Sequence, residues 1–271
     1  MKVAAYQAPL IASGSFESLS LIRRQIERCD AECVEILCCP EAILGGLADY
    51  ADDPNECSIH VTSGQLNDVL KPLASDTVTS IIGFTERGDN GQLFNAAAVY
   101  HKGSVLGVYR KRHPAIRRSV YTAGDEAPVF QLGDFTFGIV ICLDTSYLEP
   151  AKSMVASGAT ALFVPTNNSL PKKRECADLP AEARYADIAL AVENRVFVVR
   201  ADVAGRNESL LSYGSSEIVD PSGVVLQSAK TLNNDLIIDE IKTVRYNRDK
   251  TETFARRSNK AVNRSRRSRG F

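Results

Sequence analysis

The sequence predicts a layered α/β (α+β) domain, and three observations carry that reading. Apolar, strand-like runs alternate with segments of helical period along most of the chain. Two hairpin signals interrupt the alternation, so the sheets are mixed and not purely parallel. The 271 residues are 44% hydrophobic, which is enough apolar material for a full core.

Residues 2–8 (KVAAYQA) read as a short apolar strand. Residues 16–33 are helix-like, with Leu19, Ile22, Ile26 and Cys29 near a period of 3.6. Residues 34–39 form a buried strand that ends at Pro40-Glu41. Residues 63–71 read as a second helix, stopped by Pro72. Residues 79–85 (TSIIGFT) are the next strand. Residues 94–100 and 105–109 flank His101-Lys102-Gly103-Ser104, a hairpin turn with glycine. Residues 135–142 are a strand, and the next ten carry a helical pattern. Residues 161–165 are a strand, 181–194 a helix and 195–201 a strand. Residues 216–219 and 224–226 form a hairpin around Asp220-Pro221-Ser222-Gly223, and 236–241 close the fold. The stretch 167–180 (NNSLPKKRECADLP) reads as a loop over the site from its proline and charge density. No linker or repeat stands out within residues 1–240. We therefore expect one domain over 1–242 and a basic tail over 243–271, extended or subunit-spanning.

Composition narrows the function classes. No apolar run approaches the ~20 residues of a membrane helix, so no membrane partner is expected. The opening MKVAAYQAP has neither a long apolar core nor a cleavage site. The seven cysteines are irregularly spaced with no C-x-x-C pair, and the histidines are His60, His101 and His113 alone. A disulfide framework and a zinc site are both disfavoured, and a cytoplasmic location is expected. The net charge of −1 hides an asymmetry. Residues 241–271 hold 11 Lys/Arg against 2 Asp/Glu, a net of +9, while the rest hold 21 against 31, a net of −10. Such a tail suits nucleic acid, but no aromatic stacking platform accompanies it, and a tail drawn to an acidic body is the plainer reading.

Three residues at the ends of apolar runs suggest chemistry. Cys142 follows FTFGIVI and opens LDTSYLEP, so it sits at a strand-to-helix turn, where backbone N–H groups would lower a thiol pKa. Read alone, it is a small buried hydrophobe, as most free cysteines are. Glu41 follows LCCP, where a carboxylate is costly unless it is exposed or has a task. Lys111 lies between Arg110 and Arg112 in YRKRHP, which read alone is a basic surface strand. Together, a thiol, a carboxylate and an ammonium make a nucleophile, a proton carrier and an oxyanion clamp.

In order, these blocks resemble the nitrilase superfamily of carbon–nitrogen hydrolases, over roughly residues 1–240. The likeness rests on AAYQAP, on PE followed by a glycine-rich turn and Tyr50, and on G-x-YRK. It continues through G-x-x-IC-x-D-x-x-Y-x-EP, GAxALFVPTN, the helix with Ala183-Arg184 and Glu193-Asn194, and GSSEIVDPSG. The resemblance implies a four-layer αββα sandwich, no cofactor and no metal, and a homodimer or larger homo-oligomer. It implies Cys142 as nucleophile, Glu41 as general base and then acid, and Lys111 with the Leu143 backbone N–H as oxyanion donors.

Asp144, two residues after the cysteine, favours an amide or N-carbamoyl amine over a nitrile as the small-molecule substrate, with water as co-substrate. Asp144, Glu149 and Arg184 are expected to support the cysteine turn, the last two as an ion pair. Tyr50, Arg117, Tyr147, Asn167 and Asn168 are expected to line the pocket. The family's second active-site glutamate is missing, because Arg117, Arg118 and Ser119 stand where it should fall. That departure keeps a ligand-binding, non-hydrolysing member in play. A Cys142–His113 hydrolase is a further reading.

Overall fold

The computed structural model describes residues 1–116, 118–174 and 176–242, residue 174 by its backbone alone. Met1–Ile241 forms one compact unit. The tail expected over 243–271 lies outside the described residues.

Apolar strands buried on both faces need a layer on each side, and this sequence supplies four layers. The larger sheet runs Leu170–Pro171, Leu210–Ser212, Val203–Arg206, Lys2–Pro9, Ile36–Cys38, Thr79–Arg87, Leu93–His101 and Ser104–Arg110. Asp235–Glu240 also pairs with Lys2–Pro9, and Ser58–His60 with Thr79–Arg87. The smaller sheet runs Val225–Ser228, Glu217–Val219, Phe197–Ala201, Ala161–Pro165, Phe135–Ile139 and Val129–Leu132.

Strand alternation sorts side chains between two cores. Val3, Ala5, Ile81, Ala97 and Val99 face the smaller sheet and pack with Phe137, Ile139, Phe163 and Val199. Ala4, Tyr6, Ile82, Phe84, Ala96 and Ala98 face the other way. There they meet Ile22, Ile26 and Cys29 of helix Ser18–Ala31 and Leu66 and Leu70 of helix Gln65–Leu70. Helices Ala151–Ala156 and Leu179–Asn194 cover the outer face of the smaller sheet through Met154, Leu190 and Ala191. The result is an αββα sandwich. Each fully buried isoleucine in these layers contributes about 1.5–3 kcal/mol.

The helix expected after Cys142 is not continuous. Cys142–Ser146 is a single 3-10 turn, and a separate helix begins at Ala151. The Asp144 carboxylate accepts the Ile141 N–H at 3.2 Å, which caps the start of this turn. Pro150 then removes a donor. The expected 167–180 loop is partly ordered: Leu170–Pro171 pairs with Leu210–Ser212, and the next helix starts at Leu179. Three strands of only three or four residues escaped the sequence pattern: Ser58–His60, Val129–Leu132 and Leu210–Ser212.

One glycine fixes how the sheet carries its functional turn. A Cβ at Gly83 would lie 2.3 Å from the Pro40 carbonyl oxygen and 2.5 Å from the Ala42 nitrogen. Only glycine lets the strand Thr79–Arg87 pass this close beneath Glu41.

Candidate active site

Glu41 sits just beyond the strand Ile36–Cys38, and its N–H donates to the Thr166 carbonyl at 3.2 Å. The carboxylate is buried and accepts three donors. Lys111 Nζ reaches Oε1 at 2.5 Å, Asn95 Nδ2 reaches Oε1 at 2.7 Å, and the Asn167 N–H reaches Oε2 at 2.9 Å. Lys111 follows the strand Ser104–Arg110 and is itself buried. Its N–H donates to the Asn95 carbonyl at 2.7 Å, so Asn95 grips both residues of the pair. Burial alone would lower the Lys111 ammonium, but Glu41, and then Cys142, hold it above the usual lysine range.

Cys142 lies three residues past the strand Phe135–Ile139 of the smaller sheet and opens a 3-10 turn with φ +48°, a left-handed conformation that costs a non-glycine residue about 1–3 kcal/mol. The thiol is partly exposed. Its Sγ lies 3.8 Å from Asn168 Oδ1. The expected lowering of its pKa is reversed. Loss of water and the Glu41 carboxylate push the thiol up to about 12, against the opposing pull of Lys111 and Arg200. A 3-10 turn of five residues supplies too little positive dipole to overcome that desolvation. The Cys142 thiol is therefore neutral at rest.

Asp144 is fully buried under this turn. It accepts from the Tyr109 hydroxyl at 2.7 Å, the His113 N–H at 2.9 Å and the Ile141 N–H at 3.2 Å. His113 Nδ1 also lies 2.8 Å from Asp144 Oδ1, and the ring stacks on Tyr147 at 3.7 Å between centroids. These contacts tie His113 to the Asp144 carboxylate and to the Tyr147 ring. Leu143 lies in the same 3-10 turn, one residue past the thiol.

The expected Glu149–Arg184 pair is absent. Glu149 accepts from the N–H and hydroxyl of Ser153 and caps its own helix, while Arg184 pairs with Glu217 at 2.7 Å. Each charge found a nearer partner. Of the pocket candidates, Tyr50 and Asn167 line one cleft with Leu47, Ser169 and Leu210. Asn168 lines a second cleft with Asp202 and Tyr213. Tyr147 is exposed and stacked on His113. Arg117 lies outside the described residues. Ser119, which stands in the stretch expected to hold a second glutamate, donates to Asp49 Oδ2 at 3.0 Å.

Three polar residues of this neighbourhood were not singled out from the sequence: Asn95, Arg200 and Asp187. Each is a lone polar or charged residue inside an apolar run, in LFNAAAV, FVVRA and ADIALAV. A buried polar side chain must be paired, so that pattern was the available signal. Among the described residues, no cluster of three or more His, Cys, Asp or Glu could hold a metal ion. Nor is any helix there long and apolar enough to cross a membrane.

Residues 2–250 match the model of the carbon–nitrogen hydrolase family over nearly the whole chain. The chain belongs to the carbon–nitrogen hydrolase family.

Other likenesses agree with that membership of the nitrilase superfamily. A Pseudomonas protegens protein described as a hydrolase in the pqqF 5′ region is 30% identical over 241 residues, 82% of this chain and 76% of that one. An N-carbamoylputrescine amidase of Oryza sativa is 27% identical, covering 61% of each chain. Among solved structures, the carbon–nitrogen hydrolase of Helicobacter pylori G27 superposes with a TM-score of 0.76 at 19% identity, covering 88% of this chain and 87% of that one. A nitrilase-superfamily amidase of Nesterenkonia AN1 superposes at 0.73 and 21% identity, covering 95% and 96%. This carbon–nitrogen hydrolase spans only 44% of a glutamine-dependent NAD+ synthetase of Acinetobacter baumannii, on which it superposes at 0.74 and 22% identity.

Proposed function

We propose that this enzyme hydrolyses the C–N bond of a small linear amide or N-carbamoyl amine through a thioester on Cys142. The observation that carries the reading is the Glu41–Lys111 pair, bonded at 2.5 Å and sharing the electrostatic field of the Cys142 thiol. Glu41 takes the thiol proton as sulfur attacks the carbonyl carbon. Lys111 and the Leu143 N–H hold the developing oxyanion. Glu41 then gives the proton to the departing nitrogen as the C–N bond breaks, releasing ammonia or an amine. Water attacks the thioester with Glu41 again as base, and the acid leaves. A thiol pushed up to about 12 favours this concerted transfer over a standing thiolate. Asp144 in place of a glutamate after the cysteine supports amides over nitriles; the relatives carry names of both kinds, nitrilase and N-carbamoylputrescine amidase.

Tyr50, Asn167 and Asn168 are the substrate contacts of this reading, through the two clefts they line. Assembly as a homodimer belongs to it too, and sedimentation of the full chain and of a chain lacking 243–271 tests that. The function is tested by ammonia release from a panel of amides, carbamoyl amines and nitriles, with wild type and Cys142→Ala in parallel. Release from amides or carbamoyl amines that vanishes in the variant is expected. Release from nitriles alone, or release that survives in the variant, overturns the assignment.

A further inference from the structure

Behind the site lies a buried ion pair that the proposed chemistry does not use directly. Arg200 stands in the central strand Phe197–Ala201 of the smaller sheet, and Asp187 in the helix that covers it. Their side chains are 2% and 0% exposed. Arg200 Nε donates to Asp187 Oδ2 at 2.6 Å, and a second guanidinium nitrogen donates to Oδ1. Such a bidentate pair is expensive to bury unless its remaining donors are also occupied.

Where the remaining donors go is the informative point. Arg200 Nη1 donates to Thr166 Oγ1 at 2.6 Å. Arg200 Nη2 lies 3.5 Å from Thr145 Oγ1. Thr145 Oγ1 in turn donates to the Cys142 carbonyl at 2.9 Å, within the turn that holds the thiol at positive φ. The Thr166 carbonyl accepts the Glu41 N–H, and the next residue, Asn167, donates to the Glu41 carboxylate. One guanidinium thus touches the supports of both the thiol and the carboxylate, which are delivered by different sheets. The thiol itself faces Glu41, Lys111, Arg200 and Asp202, and Arg200 faces Asp187, Asp202, Glu217, Cys38 and Cys142.

We propose that Arg200, fixed by Asp187, is a positioning residue that registers the Cys142 turn against the Glu41 strand and supplies a buried positive charge behind the thiol. The proposal rests on Cys142 being the nucleophile. Its two functions separate by substitution. Arg200→Lys keeps the charge and loses the fork. Arg200→Met loses both. Thr145→Val keeps the pair intact and cuts the link to the turn.

The test is the rate of iodoacetamide alkylation of the Cys142 peptide, followed by mass spectrometry across pH, with ammonia release from the best substrate measured beside it. Alkylation needs no substrate, so it reads out even if the proposed reaction is wrong. A positive charge behind a thiol favours the thiolate. Arg200→Met is therefore expected to move the alkylation profile to higher pH, and Asp187→Asn, which leaves the cation uncompensated, to lower pH. Arg200→Lys is expected to keep the wild-type profile while kcat falls about tenfold at unchanged KM. Thr145→Val should likewise lower kcat without moving the profile.

Should Arg200→Met not fold, the double variant Arg200→Met/Asp187→Leu, which leaves no buried charge unpaired, takes its place with the same expected upward shift. Unshifted profiles in the folded charge variants, or wild-type kcat in both Arg200→Lys and Thr145→Val, overturn the proposal. A purely structural role for the pair would change the melting temperature and leave the direction of the profiles unsplit.

Discussion

The two sheets contribute to the site in opposite ways. The larger sheet delivers Glu41 and Lys111 fully buried, bonded to each other and to Asn95, with every carboxylate oxygen taken. The smaller sheet delivers Cys142 partly exposed, in a left-handed conformation, with Asn168 Oδ1 3.8 Å from its sulfur. One half is held by strong bonds on the functional side chains themselves; the other is a strained turn held through its neighbours Asp144 and Thr145. That division suits the proposed chemistry. The proton carrier and the oxyanion clamp must keep their geometry through both half-reactions, whereas the sulfur must leave its resting position to form and break a bond.

The comparison predicts that activity and stability respond differently on the two sides. Cys142→Ala is expected to show the largest loss of function, at least about 10⁴-fold in ammonia release. Its urea midpoint should stay near that of wild type, because no bonded partner is orphaned. Lys111→Met is expected to lose about 10²–10³-fold in rate and also about 3–5 kcal/mol of stability, since it leaves Glu41 charged and buried without its cation. Urea titrations of both variants check the contrast. If Lys111→Met unfolds no earlier than Cys142→Ala, the larger sheet's half of the site is not held by its ion pair.

The contrast also explains what could be read from the sequence. Alternating strands and the residues at their ends were legible because burial imposes a period of two, and each strand end here carries a local signature. Glu41, Lys111 and Cys142 stood out on that ground. The bonds that hold them did not, because Asn95, Asp187 and Arg200 act across 13 to 54 residues of chain and match no local pattern. The Glu149–Arg184 pairing failed for the same reason. Charges choose the nearest partner in space, and Ser153 and Glu217 are nearer. The direction of the Cys142 shift was misjudged because a strand-to-helix turn was expected, and the turn that forms is only one 3-10 turn long.

Titration sharpens the difference further. Burial pushes the Cys142 thiol up to about 12 and the Cys29 thiol and Tyr6 hydroxyl to about 12 as well. Each group binds its proton more tightly folded than unfolded, so the stability it contributes is present below the unfolded value, about 8.5 for a thiol. It is lost as pH rises through the folded value. Stability should therefore fall steadily between about pH 8.5 and 12, which urea titrations at a series of pH values measure. In the Cys142→Ala chain the decline should be shallower. An identical decline would mean that the thiol is not held neutral by its surroundings.

The smallest effect is the most specific to the smaller sheet. Exchanging alanine for glycine ordinarily costs about 0.5–1 kcal/mol, because glycine has more freedom to lose on folding. At position 142 the backbone sits at φ +48°, where a Cβ is strained and glycine is not. Cys142→Gly is therefore expected to be more stable than Cys142→Ala, by about 1 kcal/mol, with both chains inactive. Ala42 stands at φ +48° beside Glu41, so Ala42→Gly should gain stability in the same way. There the strain is carried by the neighbour of the functional residue and not by that residue, so activity should survive. Thermal melts of the three variants decide the point. A Cys142→Gly chain that melts below Cys142→Ala would show that the turn around the thiol relaxes when the sulfur is removed, and that the strain belongs to the side chain's packing and not to the backbone.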